Sequence, residues 1–231
     1  MELFVDEAEI VERARDAFGP AFARLERFAT ALARDGVRRG LIGPREVPRL
    51  WERHILNSAA VAPYLPRAGV VIDVGSGAGL PGLVLACLRP DLDVVLLEPM
   101  ERRVAWLTEV AALIPAPNAR VERGRAEEVQ GRLVADVVTA RAVAPLGRLA
   151  SWTLPLTRER GEILAFKGSR AEEEVAAAAA TITRLGGGPA EVLRVAPLDG
   201  LEATTIVRIP KLRDMAPGHD ARPRRRRRRP G

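Results

Sequence analysis

The sequence predicts an α/β fold: a seven-stranded, mainly parallel doubly wound sheet that ends in an antiparallel hairpin and is preceded by an N-terminal helical cap. Three observations predict it. From Val70 onward, strand-length apolar runs alternate with helix-length segments, the pattern of βαβ units in a sheet covered on both faces. The first strand runs directly into a turn containing Gly75, Gly77 and Gly79, residues that let backbone approach a ligand closely. The last two strand candidates lack a full helix between them, so they pair as a hairpin at the sheet edge.

Residues 6–35 read as two helices. Ile10, Val11, Ala14, Ala17 and Phe18 recur at helical spacing, and Phe22, Leu25, Phe28, Ala29 and Leu32 repeat the pattern after Gly19 and Pro20. Gly36 ends the second. A linker over residues 40–44 leads to a third helical pattern through Val47, Leu50, Trp51, His54 and Ile55, which closes at 63–66. The cap therefore takes residues 1–66. The Rossmann-like domain takes 67–210, with strands over 70–74, 93–98, 120–123, 136–139, 162–166, 192–195 and 204–209. Its helices fall over 81–88, 101–113, 146–154 and 170–185. Pro81 suits the first turn of its helix, where a missing N–H costs nothing.

Charge divides the chain unevenly. Residues 211–231 hold nine basic residues against two acidic ones, a net +7, which leaves residues 1–210 near −1 out of the total of +6. Arg224 to Arg229 lie between two prolines, so 211–231 is expected to be a disordered basic tail open to phosphate, or a solubilising terminus. The acidic start, Glu2 to Glu7, has no basic region or long apolar run. No signal peptide or membrane span is expected, and the predicted location is cytoplasmic. The single cysteine, Cys87, excludes an intrachain disulfide, and the two histidines, His54 and His219, leave no expected zinc or di-iron site. No metal is expected.

The glycine turn, read literally from Gly77 to Gly82, is G-x-G-x-x-G, with Glu98 nineteen residues after Gly79 at the end of the next strand. That is the dinucleotide fingerprint, and an NAD-linked oxidoreductase is one reading of it. Asp73 extends the motif to D-x-G-x-G-x-G, which suits the amino-acid end of S-adenosylmethionine. Ala126 and Glu127, after the third strand, place a small residue and a carboxylate where an adenine edge can be hydrogen-bonded. A dehydrogenase also needs a substrate domain with a proton donor, and the remaining chain offers no convincing one. The reading is a methyl-donor site.

Acceptor chemistry narrows by type. Carbon-5 pyrimidine methylation needs a cysteine nucleophile, for which Cys87 is misplaced. Amino-group methylation of bases usually shows Asn or Asp before Pro-Pro-aromatic after the fourth strand, where this chain reads Thr139 to Pro145 without it. A ring nitrogen with an in-plane lone pair, such as guanine N7, attacks without losing a proton, so catalysis needs alignment and electrostatics. Trp51, Trp106 and Trp152 sit in helical patterns and read as core.

Five blocks then occur in order: Trp51-Glu-Arg-His54-Ile-Leu-Asn57-Ser58, Asp73 to Gly82, Gly124-Arg-Ala-Glu-Glu128, Ala140-Arg-Ala-Val-Ala-Pro145 and Ala165-Phe-Lys-Gly168. Together they resemble the small-subunit rRNA (guanine-N7) methyltransferases, the glucose-inhibited division protein B family. The resemblance implies a class I S-adenosylmethionine-dependent methyltransferase fold, S-adenosyl-L-methionine as cofactor, and N7 of guanine 527 in 16S rRNA as acceptor, on naked rRNA or a small subunit. A monomer is expected. By position it implies cofactor contacts at Gly75, Leu80, Ala126 and Glu127, and a site arginine at Arg141, expected to hold the methionine carboxylate or orient guanine. Lys167, after the fifth strand, is expected to meet RNA phosphate or to be an exposed lysine with no specific partner. His54 reads as a core histidine or a substrate residue, and Asn57 departs from the family's aspartate. A non-catalytic RNA-binding module is the remaining alternative.

Overall fold

The computed structural model describes residues 6–141 and 143–213. Of the expected tail over 211–231, residues 214–231, with His219 and the arginine run, lie outside them. Seven strands, β1 (Gly69–Val74), β2 (Leu92–Glu98), β3 (Ala119–Arg123), β4 (Ala135–Arg141), β5 (Thr157–Lys167), β6 (Glu191–Val195) and β7 (Thr204–Pro210), form one sheet in the order β3-β2-β1-β4-β5-β7-β6. Strands β1 to β5 pair in parallel, while β7 runs antiparallel to both β5 and β6. The expected hairpin is present, with β7 seated inside it and β6 at the edge.

Strand periodicity assigns the two faces. Val71, Val94, Leu96, Val137 and Leu164 point into one core, and Ile72, Val95, Leu97, Val138 and Ile163 into the other. The first core is covered by α1 (Glu7–Phe18), α2 (Phe22–Asp35), α4 (Gly82–Leu88) and α5 (Glu101–Leu113). The second is covered by α6 (Leu146–Thr153) and α7 (Ala171–Arg184). Phe28, Leu32 and Ile55 are fully buried in the same core as Leu96 and Trp106. The N-terminal helices are thus a layer of the sheet's own packing.

The third helical pattern is irregular. Pro44–Arg49 is a 3-10 turn, Trp51–Leu56 is a π-helical turn, and Asn57–Ala59 is a single α-turn, α3. Pro48 supplies no N–H. The Trp51 N–H leaves the helix ladder to donate to Glu7 Oε1 at 2.7 Å, which ties the turn to α1. Strand β5 begins earlier than its apolar run because the exposed Arg158, Glu159 and Arg160 belong to it. The chain stays paired past residue 210. Lys211 is buried, its ammonium donates to Leu154 O and Leu185 O, and the Leu212 N–H donates to Gly186 O.

Moving outward from β1, the sheet grows one way through β2 and the other through β4. This is the switch point at which open α/β sheets bind ligands, beyond the carboxyl ends of the strands. The close approach of α4 to β1 there requires Gly82. A Cβ on it would overlap Leu96 Cδ2 and lie 2.7 Å from Asp73 Oδ2. Gly82→Ala is expected to destabilise the protein by about 3 kcal/mol through overpacking, read as a lower urea midpoint at unchanged slope; a midpoint equal to wild type would contradict this packing.

Candidate active site

The loop after β1 is held by β2. The Gly75 and Ser76 N–H groups both donate to Leu97 O, at 2.8 and 3.2 Å. Gly75, Gly77 and Gly79 have φ of 75°, 53° and 101°, values that favour glycine. Glu98, at the end of β2, is 1% exposed and caps this arrangement. Its Oε2 accepts from the Gly77 N–H at 3.0 Å and its Oε1 from the Met100 N–H at 2.9 Å. Trp106 of α5 braces the loop from below, its indole N–H donating to Ala78 O at 2.9 Å.

Above the loop lies a cavity of about 500 Å³. Gly75, Ser76, Gly77, Leu80, Glu98, Ala126, Glu127, His54 and Arg141 line it, and Leu41, Ile42, Arg148 and Trp152 are among its other walls. Sequence reasoning missed those four. Trp152, read as core, is half-buried: it packs against the second core and also forms cavity wall, with the Arg148 guanidinium 4.9 Å over its ring. Leu41 and Ile42 come from the linker after α2, where no local signal marks a binding wall.

Two expected cofactor residues lie beneath the cavity. Gly79 does not line it, and neither does Asp73. Asp73 is fully buried, with Oδ2 accepting from the Gly82 N–H at 2.9 Å and Oδ1 without a hydrogen-bond partner. Burial pushes its carboxyl up to about 7, against the lowering effect of the Gly82 N–H. Its direct contact is to the backbone that shapes the loop.

A second cavity, about 760 Å³ and mostly polar, adjoins the first. Glu46, Arg53, Asn57, Phe166, Lys167, Ser169, Arg170 and Thr205 are among its walls, and His54, Arg141 and Val143 line both cavities. Arg141 stands at the end of β4 with its Nη atoms committed to the irregular N-terminal turn. Nη1 donates to His54 O at 3.3 Å and Ser58 Oγ at 3.1 Å; Nη2 donates to Arg53 O at 3.0 Å and His54 Nδ1 at 2.7 Å. Burial lowers its guanidinium to about 10, which leaves it charged at neutral pH. These contacts join the sheet to the cap, and Arg141 still lines both cavities.

Lys167 is more buried than an exposed phosphate contact would be: its ammonium donates to Ala144 O at 2.7 Å and Glu174 Oε2 at 2.8 Å with the side chain 8% exposed, within the wall of the second cavity. Asn57 donates to Thr204 Oγ1 at 2.6 Å. A hydroxyl can donate as well as accept, so this tie tolerates aspartate and asparagine alike.

Comparison with known proteins agrees with the site. A family model described as rRNA small subunit methyltransferase G matches residues 21–197. The chain belongs to that family. It is 52% identical to the ribosomal RNA small subunit methyltransferase G of Thermobifida fusca over 220 residues, 95% of this chain and 93% of that one. It is 53% identical to the protein of the same name from Streptomyces coelicolor over 201 residues, 87% and 84% of the two chains. Solved structures share the fold: one is M. jannaschii TYW2 in complex with AdoMet, at TM-score 0.55 and 18% identity over 70% of this chain and 76% of that one. Another is a precorrin-6y C5,15-methyltransferase from Geobacter metallireducens, at TM-score 0.52 and 16% identity over 74% and 92%.

As an rRNA small subunit methyltransferase G, the enzyme is an S-adenosylmethionine-dependent rRNA methyltransferase of class I fold, and the NAD-linked and non-catalytic readings fall away. The sheet agrees, because a dinucleotide fold continues its parallel order where this one inserts antiparallel β7. The residues fit the cofactor. Each Glu98 oxygen holds one backbone N–H and keeps acceptor capacity for a ribose hydroxyl, and Leu41, Ile42, Leu97 and Pro99 give an apolar wall. Glu98→Gln puts an amide donor against one of those N–H groups. S-adenosylhomocysteine affinity, measured by calorimetry, is expected to fall about tenfold to a hundredfold; unchanged affinity would remove Glu98 from the site.

Proposed function

We propose that the enzyme methylates N7 of guanine 527 in 16S rRNA by direct transfer, with no residue obliged to take a proton. The protein is placed with its rRNA in the cytoplasm and acts as a monomer on 16S rRNA or the small subunit. The observation that carries this reading is the shared wall of the two cavities. One cavity suits the donor; the other, polar and rimmed by the exposed Arg53, Arg170 and Arg194, suits an RNA base displaced from its stack. Donor and acceptor would meet at His54, Arg141 and Val143.

Bound in the first cavity, S-adenosylmethionine supplies an electrophilic methyl on a sulfonium sulfur. Glu98, with Gly77 and Met100, would hold the ribose, and Ala126 with Glu127 the adenine edge. At the wall, arginine has no acceptor atom, so His54 Nδ1 accepts from Arg141 and its Nε2–H donates to Glu46 Oε2 at 3.0 Å. Both ring nitrogens are engaged. Such a histidine holds geometry, and a ring nitrogen with a free lone pair is an acceptor that asks no more of it. A ring nitrogen would take the methyl in exchange for the sulfonium charge and release no proton, so the residues of this wall would only have to hold donor and acceptor in line.

The test is to map N7-methylguanosine in 16S rRNA from cells with and without the protein, and with the Arg141→Ala variant. The modification is expected at position 527, absent without the protein, and reduced at least about tenfold in Arg141→Ala. Full modification without the protein, or its gain at another base, would overturn the assignment.

A further inference from the structure

The wall between the cavities contains a linked set of side chains that makes and breaks no bond of the transfer. Glu46 belongs to the Pro44–Arg49 turn, His54 to the Trp51–Leu56 turn and Arg141 to β4, and their side chains form one chain of contacts. The His54 side chain is 13% exposed and that of Glu46 is 29% exposed. We propose that Glu46 and His54 are positioning residues for methyl transfer, which through the His54 ring hold the Arg141 guanidinium as the partition between donor and acceptor. The proposal rests on the reading that the acceptor enters the second cavity.

The geometry allows one arrangement of protons. A guanidinium can only donate, so Nδ1 is bare and the ring proton sits on Nε2, facing the Glu46 carboxylate. A second ring proton would oppose the Arg141 N–H across 2.7 Å and place a cation against a cation, so the contact must open. The charged groups facing the ring are Glu46 from the preceding turn, Arg53 on its own turn and Arg141 from β4. Burial, then the Arg141 charge, hold the ring below its ordinary value, outweighing Glu46. A histidine lowered in the folded state binds fewer protons there than when unfolded. The folded ring therefore stays neutral through the ordinary histidine range and the joint opens only as pH falls through its lowered value, while the stability it lends begins to fall once the unfolded chain's histidine protonates.

Histidine nitrogen NMR of the full chain, with His54 assigned by its loss in His54→Gln, reads the ring directly. A neutral Nε2–H ring at neutral pH that titrates below about 6.5 is expected. Methyl transfer to small ribosomal subunits from cells lacking the protein is then followed against pH. Wild-type kcat is expected to fall as His54 titrates. His54→Ala is expected to lower kcat about tenfold to a hundredfold with S-adenosylhomocysteine affinity within about threefold of wild type. His54→Gln can accept from Arg141 and donate to Glu46 in place of the two ring nitrogens, so it should restore most of kcat and remove the acid limb.

An Nδ1–H or doubly protonated ring at neutral pH, a His54→Ala enzyme equal to wild type, or an acid limb that persists in His54→Gln overturns the proposal. Absence of transfer by wild type at every pH, with the ring as expected, would instead remove the acceptor reading and the proposal with it.

Discussion

The four contacts made by the Arg141 guanidinium fix the relation between the sheet and the N-terminal turn, and the two cavities exist in their shapes because of it. A charge taken out of water costs several kcal/mol, and charge-assisted hydrogen bonds of about 1.5–3 kcal/mol each offset that cost. The net gain in stability is therefore small. The gain in definition is large, because three of the four acceptors lie within Arg53 and His54 and the fourth is Ser58 Oγ, and only one placement of that turn satisfies them together. The π-helical turn over Trp51–Leu56 is the irregularity that accompanies this docking, and such turns recur at functional sites.

The donor side is shaped by a different economy. Every turn of the glycine loop is tied to something buried: Gly75 and Ser76 to Leu97 O, Gly77 to Glu98, Ala78 to Trp106, and Gly82 to Asp73. The cradle is preorganised by contacts that do not depend on a ligand, which lowers the entropy cost of binding. Asp73 carries the cost of that arrangement, with one buried oxygen lacking a partner and a carboxyl raised to about 7. The N-terminal layer closes the cradle. Arg39, over the Trp106 ring at 5.2 Å and 2.8 Å from Glu109, anchors the segment that delivers Leu41 and Ile42 to the cavity.

The sheet was legible because its signals are local. Apolar runs, glycine at the turn and helix-length spacers mark β1 to β4 within a residue or two, and α5 matches its expected span. The start of β5 was hidden by three charged residues whose backbone pairs while their side chains face water. The glycine loop, Glu98, Ala126, Glu127 and Arg141 were legible as positions. Their partners were not, because His54 and Arg141 are separated by 87 residues and no periodicity encodes that distance. Lys167 shows the same gap: a lysine after a strand reads as exposed, and Glu174 on the next helix draws it inward. The helical stripe through Val47 to Ile55 was read at a period of 3.6, whereas Pro48 and the Glu7 contact to Trp51 give the segment tighter and wider turns.

The central claim is that Arg141 joins the N-terminal turn to the sheet as a coupled unit. A double-mutant cycle on the unfolding free energy, using Arg141→Ala, Ser58→Ala and the pair, tests it directly. The account predicts that the two effects overlap, with a coupling of about 1–2 kcal/mol, as expected for a buried hydrogen bond to a charged group. Effects that add to within about 0.3 kcal/mol would contradict it.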